Sequence, residues 1–392
     1  MSLRNQNGGF IRPGYEPLQV PNEPTSVAVT AGDAELSVAF TAPANVGGGA
    51  ISLYQAATTT GISATASTSP VVITGLSNGT SYNVRVWAIN AYGPGPFGTG
   101  SGTPSAPTGV FAGGDTGAAA VNVIQYVVIT TTGNATDFGD LTISVSNLAG
   151  CASSSRGVYG GGATTNVVQY ITIATTGNAI DFGDLTVARS SLGAANNSTR
   201  GVFIGGGSGG TMDYVTIATT GNATNFGDIA FGTTGVSACC STTRSVFSCG
   251  TVSGSRSNVL NYITTATTGN AIDFGDLSNN LTQAGALSSA TRGVFGGGLL
   301  ASDSTNVMDY ITIATTGNAT DFGDLIESIY GPAGCSSSTR GLFGGGIRFS
   351  DFGRTNVIQY ITIASTGNAT DFGDLASGTA WAGACSNVNG GL

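Results

Sequence analysis

Two aspartates bracket a Phe-Gly pair in Asp137-Phe-Gly-Asp140, Asp181-Phe-Gly-Asp184, Asp273-Phe-Gly-Asp276, Asp321-Phe-Gly-Asp324 and Asp371-Phe-Gly-Asp374. Two carboxylates so close together are what a calcium site or a general acid–base pair requires. A further copy departs from the pattern, with Asn225 in place of the first aspartate and Asp228 retained. The first carboxylate is therefore dispensable to the motif. The second occurs in every copy, at Asp140, Asp184, Asp228, Asp276, Asp324 and Asp374. A group repeated in every copy reads more simply as a building device than as one catalytic centre. Its expected role is to accept hydrogen bonds from turn backbone N–H groups and to pair with a repeated arginine, Arg156, Arg200, Arg244, Arg292 or Arg340. A calcium ion per copy, and a ring of acid–base pairs, stand as the alternatives.

Other chemistry is limited by which residue types are present. Histidine is absent, and all 12 basic residues are arginine. A Cys/His metal site is thereby excluded, as is a phosphate loop ending in Gly-Lys-Ser/Thr. The Asp-Phe-Gly triplets match a kinase motif in letters only, because the lysine and histidine of that machinery are missing. Of the six cysteines, Cys151, Cys239 and Cys335 each lie five residues before a repeat arginine, a position filled elsewhere by Ala195 and Leu287. They read as small buried apolar residues, unsuited to meeting as disulfides. The Asn318-Ala-Thr320 type of triplet matches a glycosylation sequon by coincidence of turn composition. No cofactor and no metal is expected. The net charge of −9 and the 8% charged residues argue against a nucleic-acid footprint. No apolar run approaches a membrane span, and no secretory signal opens the chain. No membrane insertion is expected.

The elements that must position these residues are repeated. A tyrosine within Asn-Val-x-x-Tyr-Ile-Thr recurs at Tyr126, Tyr170, Tyr214, Tyr262, Tyr310 and Tyr360, at spacings of 44, 44, 48, 48 and 50 residues. An aromatic ahead of glycines recurs between them, at Phe111, Tyr159, Phe203, Phe247, Phe295 and Phe343. Each unit offers four strands: Arg-Gly-Val-Phe, Asn-Val-Ile-Gln/Asp-Tyr-Ile-Thr, Thr-Asp-Phe-Gly-Asp after a Gly-Asn hairpin turn, and a Gly/Ala/Ser-rich stretch ending at the next arginine. A strand-built period of 40–50 residues predicts propeller blades. Both signatures occur six times, which predicts a six-bladed β-propeller over 105–392. The chain leaves at Ala384-Cys-Ser-Asn387, before a seventh Arg-Gly-Phe, consistent with the last blade closing directly against the first. The 63 glycines are turn chemistry in an ordered array.

Ahead of the repeats, 22–104 reads as short alternating strands, Ala34-Glu-Leu-Ser-Val-Ala-Phe40 being the clearest, and predicts a β-sandwich. Residues 1–21 carry three prolines and no helical or strand period. They predict an extended docking arm with Phe10, Ile11 and Tyr15 as anchors. The fold class is all-β: arm, sandwich and six-bladed propeller.

Resemblances sharpen this reading. The double glycine Gly344-Gly345, Tyr360 and Phe372, with their counterparts in the other units, resemble kelch repeats of the galactose-oxidase type. Phenylalanine stands where that family has tryptophan. Its copper chemistry needs histidines, so no activity carries over, and a non-enzyme is expected. Leu76, Gly79, Thr80, Tyr82 and the Val-Arg-Val-Trp-Ala-Ile-Asn-Ala-Tyr-Gly run resemble a fibronectin type III domain. That resemblance implies a tyrosine corner at Tyr82 and places Phe40 where a tryptophan is usual. Together the parts resemble virion surface proteins of tailed bacteriophages. The resemblance implies a tail fibre or peripheral baseplate component, exposed on the particle and homo-oligomeric within it. The arm and sandwich would dock on other virion proteins, and the propeller would meet a host surface glycan or protein. A capsid decoration protein and a bacterial cell-surface adhesion or carbohydrate-binding protein are the alternatives. Copies differ most at 299–305 and 347–355, so Arg348, Phe349, Asp351, Phe352 and Arg354 are the candidate ligand contacts.

Overall fold

The computed structural model describes residues 18–388 except 164 and 208, together with 391. The arm anchors Phe10, Ile11 and Tyr15 lie outside the described residues. The chain divides into two compact units, Met1–Ala106 and Pro107–Leu392.

The first unit is a sandwich of seven strands: β1 (Thr25–Gly32), β2 (Glu35–Thr41), β3 (Ile51–Thr58), β4 (Ser63–Ala66), β5 (Val71–Thr74), β6 (Tyr82–Asn90) and β7 (Gly93–Gly102). One sheet has the order β1-β2-β5 and the other β4-β3-β6-β7, all antiparallel. Alternation buries Leu36 and Val38 from one sheet against Val84, Val86 and Ala88 from the other. Phe40 is in this core, its ring 4.7 Å from Tyr54. The Tyr82 hydroxyl accepts the Ser77 N–H at 3.1 Å, tying the strand back to the preceding turn. Gln19 and Asn22 bond to the 45–47 loop, so the described end of the expected arm is part of this unit.

The second unit is a six-bladed β-propeller. Each blade has four antiparallel strands, shown by Ala149–Ala152, Arg156–Gly160, Val167–Thr172 and Ile180–Asp184 from centre to rim, and the blade of Ser237–Cys240 adds two short strands, Thr233–Thr234 and Thr251–Val252. The Gly/Ala/Ser-rich strand expected last in each repeat is in fact the innermost strand of the next blade. Sequence periodicity alone cannot set that phase, because a repeat can be cut at any strand. The phase has a consequence at the ends. The blade built on Thr108–Ala112, Val123–Val128 and Thr136–Asp140 has no innermost strand of its own, and Gly383–Ser386 from the far end fills the place. The ring closes through a shared sheet, not by one finished blade abutting another.

The repeated residues hold neighbouring blades together. The Thr-Gly-Asn turn of one blade docks on the outer strand of the preceding blade. Gly177 N–H donates to Phe138 O at 2.7 Å, Ala179 N–H to Asp140 O at 2.8 Å, and Asp140 N–H to Asn178 Oδ1 at 3.0 Å. The set recurs at every blade boundary, ending with Gly133 on Phe372 and Asn134 on Asp374. The expected hairpin role of Gly-Asn is thus joined by a clasp between blades. Phe138 occupies a β-bulge opposite Gln125, which turns its ring inward onto Tyr126 at 5.8 Å.

Candidate functional site

The carboxylates of the Asp-Phe-Gly-Asp motifs are not assembled into a reactive cluster. Asp137 and Asp140 sit on either side of the bulge, the first exposed and the second half-buried. Among the described residues, no three His, Cys, Asp or Glu side chains converge. The expected pairing of repeat arginines with these aspartates is not what the structure has. Arg156 lies over the Tyr170 ring at 4.2 Å and donates to Ile217 O in the next blade at 2.9 Å. Arg200, Arg244, Arg292 and Arg340 do the same with Tyr214, Tyr262, Tyr310 and Tyr360. A guanidinium is planar and carries several donors, so it serves an aromatic face and a carbonyl at once. The cysteines are buried and free. Cys151, Cys239 and Cys385 abut the Arg-Gly glycine of the following blade, and Cys335 abuts Gly109, its counterpart after Thr108. Burial pushes the thiols of Cys249 and Cys385 up to about 12 and those of Cys151 and Cys335 higher still, so none is a nucleophile.

What the blades do not share gathers on one face. Each innermost strand is entered from a loop in which one residue is left-handed: Asn147 (φ 59), Ser191 (59), Gly235 (69), Gln283 (57), Gly331 (69) and Trp381 (57). These six occupy the same position, one per blade. Their backbones form a closed ring of hydrogen bonds, each N–H donating to the carbonyl of the preceding blade. The chain runs Ser191 to Asn147, Gly235 to Ser191, Gln283 to Gly235, Gly331 to Gln283, Trp381 to Gly331 and Asn147 to Trp381, at 2.7–3.1 Å. The ring frames the mouth of the central channel, where a shallow recess of about 80 Å³ opens. Below it the channel is walled by Gly150, Ala194, Ala238, Ala286, Gly334 and Ala384. At the far end, hydroxyls of Ser386, Ser336 and Ser288 each donate to a carbonyl of the neighbouring innermost strand, and Gly391 lies against Asn196 and Cys240.

The side chains at the mouth lean onto their neighbours. Trp381 covers Gly331 so closely that a Cβ there would meet its indole at 2.6 Å. Gln283 leans over Gly235, and Ser191 Oγ donates to Asn147 Oδ1 at 3.1 Å. The Trp381 Nε1 is buried without an acceptor among the described residues.

The candidate contacts of the sixth blade flank this mouth. Ile347 forms single bridges to Tyr330 and to Arg354, pinning the 347–355 loop beside the ring. Phe349 packs with Tyr330, Ile347, Ala380 and Trp381. Phe352, exposed and left-handed, meets Phe349 in a tilted ring pair at 5.3 Å. Arg348 holds Asp351 through two hydrogen bonds, which together with the Gly353 N–H keep that carboxyl below the usual range. Glu327 lies 3.8 Å from Arg348. Arg354 stands over Trp381 at 5.7 Å and binds Asp115 of the first blade at 2.7 Å. The five residues therefore line one stretch of rim between the fifth, sixth and first blades. Sequence reasoning missed Asn147, Ser191, Gln283 and Trp381. Their signal was a column two residues before each innermost strand, whose residue types differ while its length does not.

No family model and no curated protein matches the sequence. Among solved structures, the one titled "Structure of YjhT" is similar with a TM-score of 0.53 at 9% identity, over 62% of this chain and 88% of that one. At such identity the likeness is one of fold: the chain is an all-β protein with a β-propeller, and a catalytic role stays open.

Proposed function

We propose that the chain is a non-enzymatic structural protein of a bacteriophage virion, a tail fibre or peripheral baseplate component that presents its propeller to the host surface. On this reading the blades are kelch-type, the sandwich is a fibronectin type III-like spacer, and the arm and sandwich dock on other virion proteins. One observation carries it. The arginines common to the blades are already engaged in aromatic stacking and bonds to the next blade, and the common aspartates serve the clasps through their backbone groups, whereas the unlike aromatic, amide and charged groups meet on a single face. A surface built in that way recognises a partner and offers no paired acid and base to a substrate. The contact surface includes Arg348, Phe349, Asp351, Phe352 and Arg354. The experiment is to label the chain on assembled particles and image them. Label on the tail is the expected result; label on the head would make it a decoration protein. Binding of the purified chain to host cells tests the second half, and its absence would remove the attachment role.

A further inference from the structure

The mouth of the channel carries a chemistry of its own. The left-handed backbone that the ring demands suits glycine, and Gly235 and Gly331 meet it without a side chain. Asn147 tolerates the same conformation, but Ser191, Gln283 and Trp381 adopt it against their preference, and for a residue as bulky as tryptophan this is a true outlier. The fold does not require these side chains, since glycine serves in two blades. Among the described residues, the buried Trp381 indole N–H has no acceptor and the half-buried Gln283 amide has no hydrogen-bond partner. Strain retained where the fold does not ask for it points to a ligand.

The groups lining the recess define the kind of ligand. One aromatic, two carboxamides and hydroxyls line it, and none of its lining residues is charged. Carboxamides donate and accept at once, as sugar hydroxyls do, and an indole suits the apolar face of a pyranose. The nearest cation, Arg354, is already paired with Asp115. The recess offers about 80 Å³, well below the roughly 300–1,000 Å³ of enclosed small-molecule sites, so it admits only part of one sugar residue, the rest lying over the rim. We propose that the channel mouth is a binding site for a neutral sugar residue, held by Trp381, Gln283, Asn147 and Ser191 across the ring. This site deepens the host-surface role proposed above and, as a physiological receptor site, rests on it.

The test uses the full chain on an array of oligosaccharides ending in glucose, galactose, mannose or N-acetylglucosamine, beside sialylated and sulfated ones. Hits are titrated by calorimetry against Trp381→Gly, Gln283→Gly and, as a control on the outer strand, Ile180→Thr. Glycine is chosen because the ring already holds it at this position in two blades. The expected result is a neutral hit whose affinity falls at least about tenfold in Trp381→Gly and about threefold in Gln283→Gly, and is unchanged in Ile180→Thr. Binding of no neutral sugar, binding of acidic glycans only, or undiminished binding by Trp381→Gly and Gln283→Gly would each overturn it. The same variants are assayed on host cells. Cells bound equally well by both glycine variants would leave the attachment role standing and remove the mouth as its site. A neutral hit lost in those variants, with no binding to cells, would do the reverse.

Discussion

At the residue scale, the glycine of Asp-Phe-Gly is set by its neighbour across the blade boundary. A Cβ on Gly183 (φ 143) would lie 2.5 Å from the Gly221 carbonyl oxygen, and both atoms belong to backbone that the clasp holds in place. Gly183→Ala is expected to lose about 2–4 kcal/mol in urea unfolding. Gly177→Ala, where nothing lies within 4 Å of the new methyl but φ is 158°, carries backbone strain alone and is expected to cost less, about 1–2 kcal/mol. Equal effects would show that the crowding is not what fixes the residue. Asn178→Ala removes the acceptor for Asp140 N–H and should cost about 1 kcal/mol. The thiols make a further prediction. Burial raises Cys151, Cys249, Cys335 and Cys385, so the folded state favours the protonated thiol. That contribution is complete below the unfolded thiol value near 9 and is lost as pH climbs toward about 12 and beyond. Each thiol then costs about 1.4 kcal/mol per pH unit above the unfolded value. The urea midpoint is therefore expected to be level from pH 7 to 8 and to fall steeply by pH 10. A serine or alanine replacement at Cys385 should flatten that fall; an unchanged slope would put its origin elsewhere.

At the scale of the element, the blade boundary matters more than the blade. Arg340 stacks on Tyr360 within its own blade and donates to Ile129 O of the next at 3.0 Å. Removing it as Arg340→Ala is expected to cost about 1–3 kcal/mol, because a charged donor to a carbonyl and a cation–π contact go together. Arg340→Lys should recover only part, since an ammonium cannot cover the ring and reach the carbonyl with one planar group. Chemical unfolding of both variants checks this, and a neutral Arg340→Ala would refute the clasp. These repeated parts were legible in the sequence, because six copies of one tyrosine and one phenylalanine report a strand pattern directly. Phase was not legible. Gly383-Ala-Cys-Ser386 has the same composition as Ala333-Gly-Cys-Ser336, and only pairing with Thr108–Ala112 decides which sheet receives it. The site was half legible. Length variation pointed to 347–355 and its Arg348, Phe349, Asp351, Phe352 and Arg354. The mouth residues lie in a column of constant length, and what distinguishes them is a positive φ, which sequence does not display for Trp381 or Gln283. The role of the repeated aspartates was misread in part, since their backbone N–H groups and carbonyls, and not a pairing with arginine, secure the boundary.

At the scale of the whole molecule, the propeller is a ring without free ends. Six innermost strands surround the channel, and the ring of backbone bonds at its mouth passes through all six blades and returns from Asn147 to Trp381. Such a ring is cooperative, because opening one boundary unpins its neighbours on both sides. The boundary most exposed to a cut is the one where Gly383–Ser386 joins the sheet of Thr108–Ala112. Ending the chain at Ala382 strips that sheet of its innermost strand and removes Cys385 from the core it shares with Val110 and Tyr159. It also leaves the Thr108–Ala112 strand with an unpaired edge, which invites association. The sandwich has its own core of Leu36, Val38, Val84 and Val86 and depends on none of this. Calorimetry of the intact chain is therefore expected to show two transitions, one per unit. The chain ended at Ala382 should keep the sandwich transition while the propeller transition is lost or falls by tens of degrees, with aggregation on heating. Supplying the missing strand as a peptide covering residues 383–388 should restore part of the lost transition, because the sheet edge that receives it has the register already set, Gly383 opposite Ala112 and Ser386 opposite Gly109. Retention of an unshifted propeller transition after truncation would mean that five complete blades and one three-stranded blade close the ring unaided, and that the strand shared across the chain's two ends is an ornament of the fold.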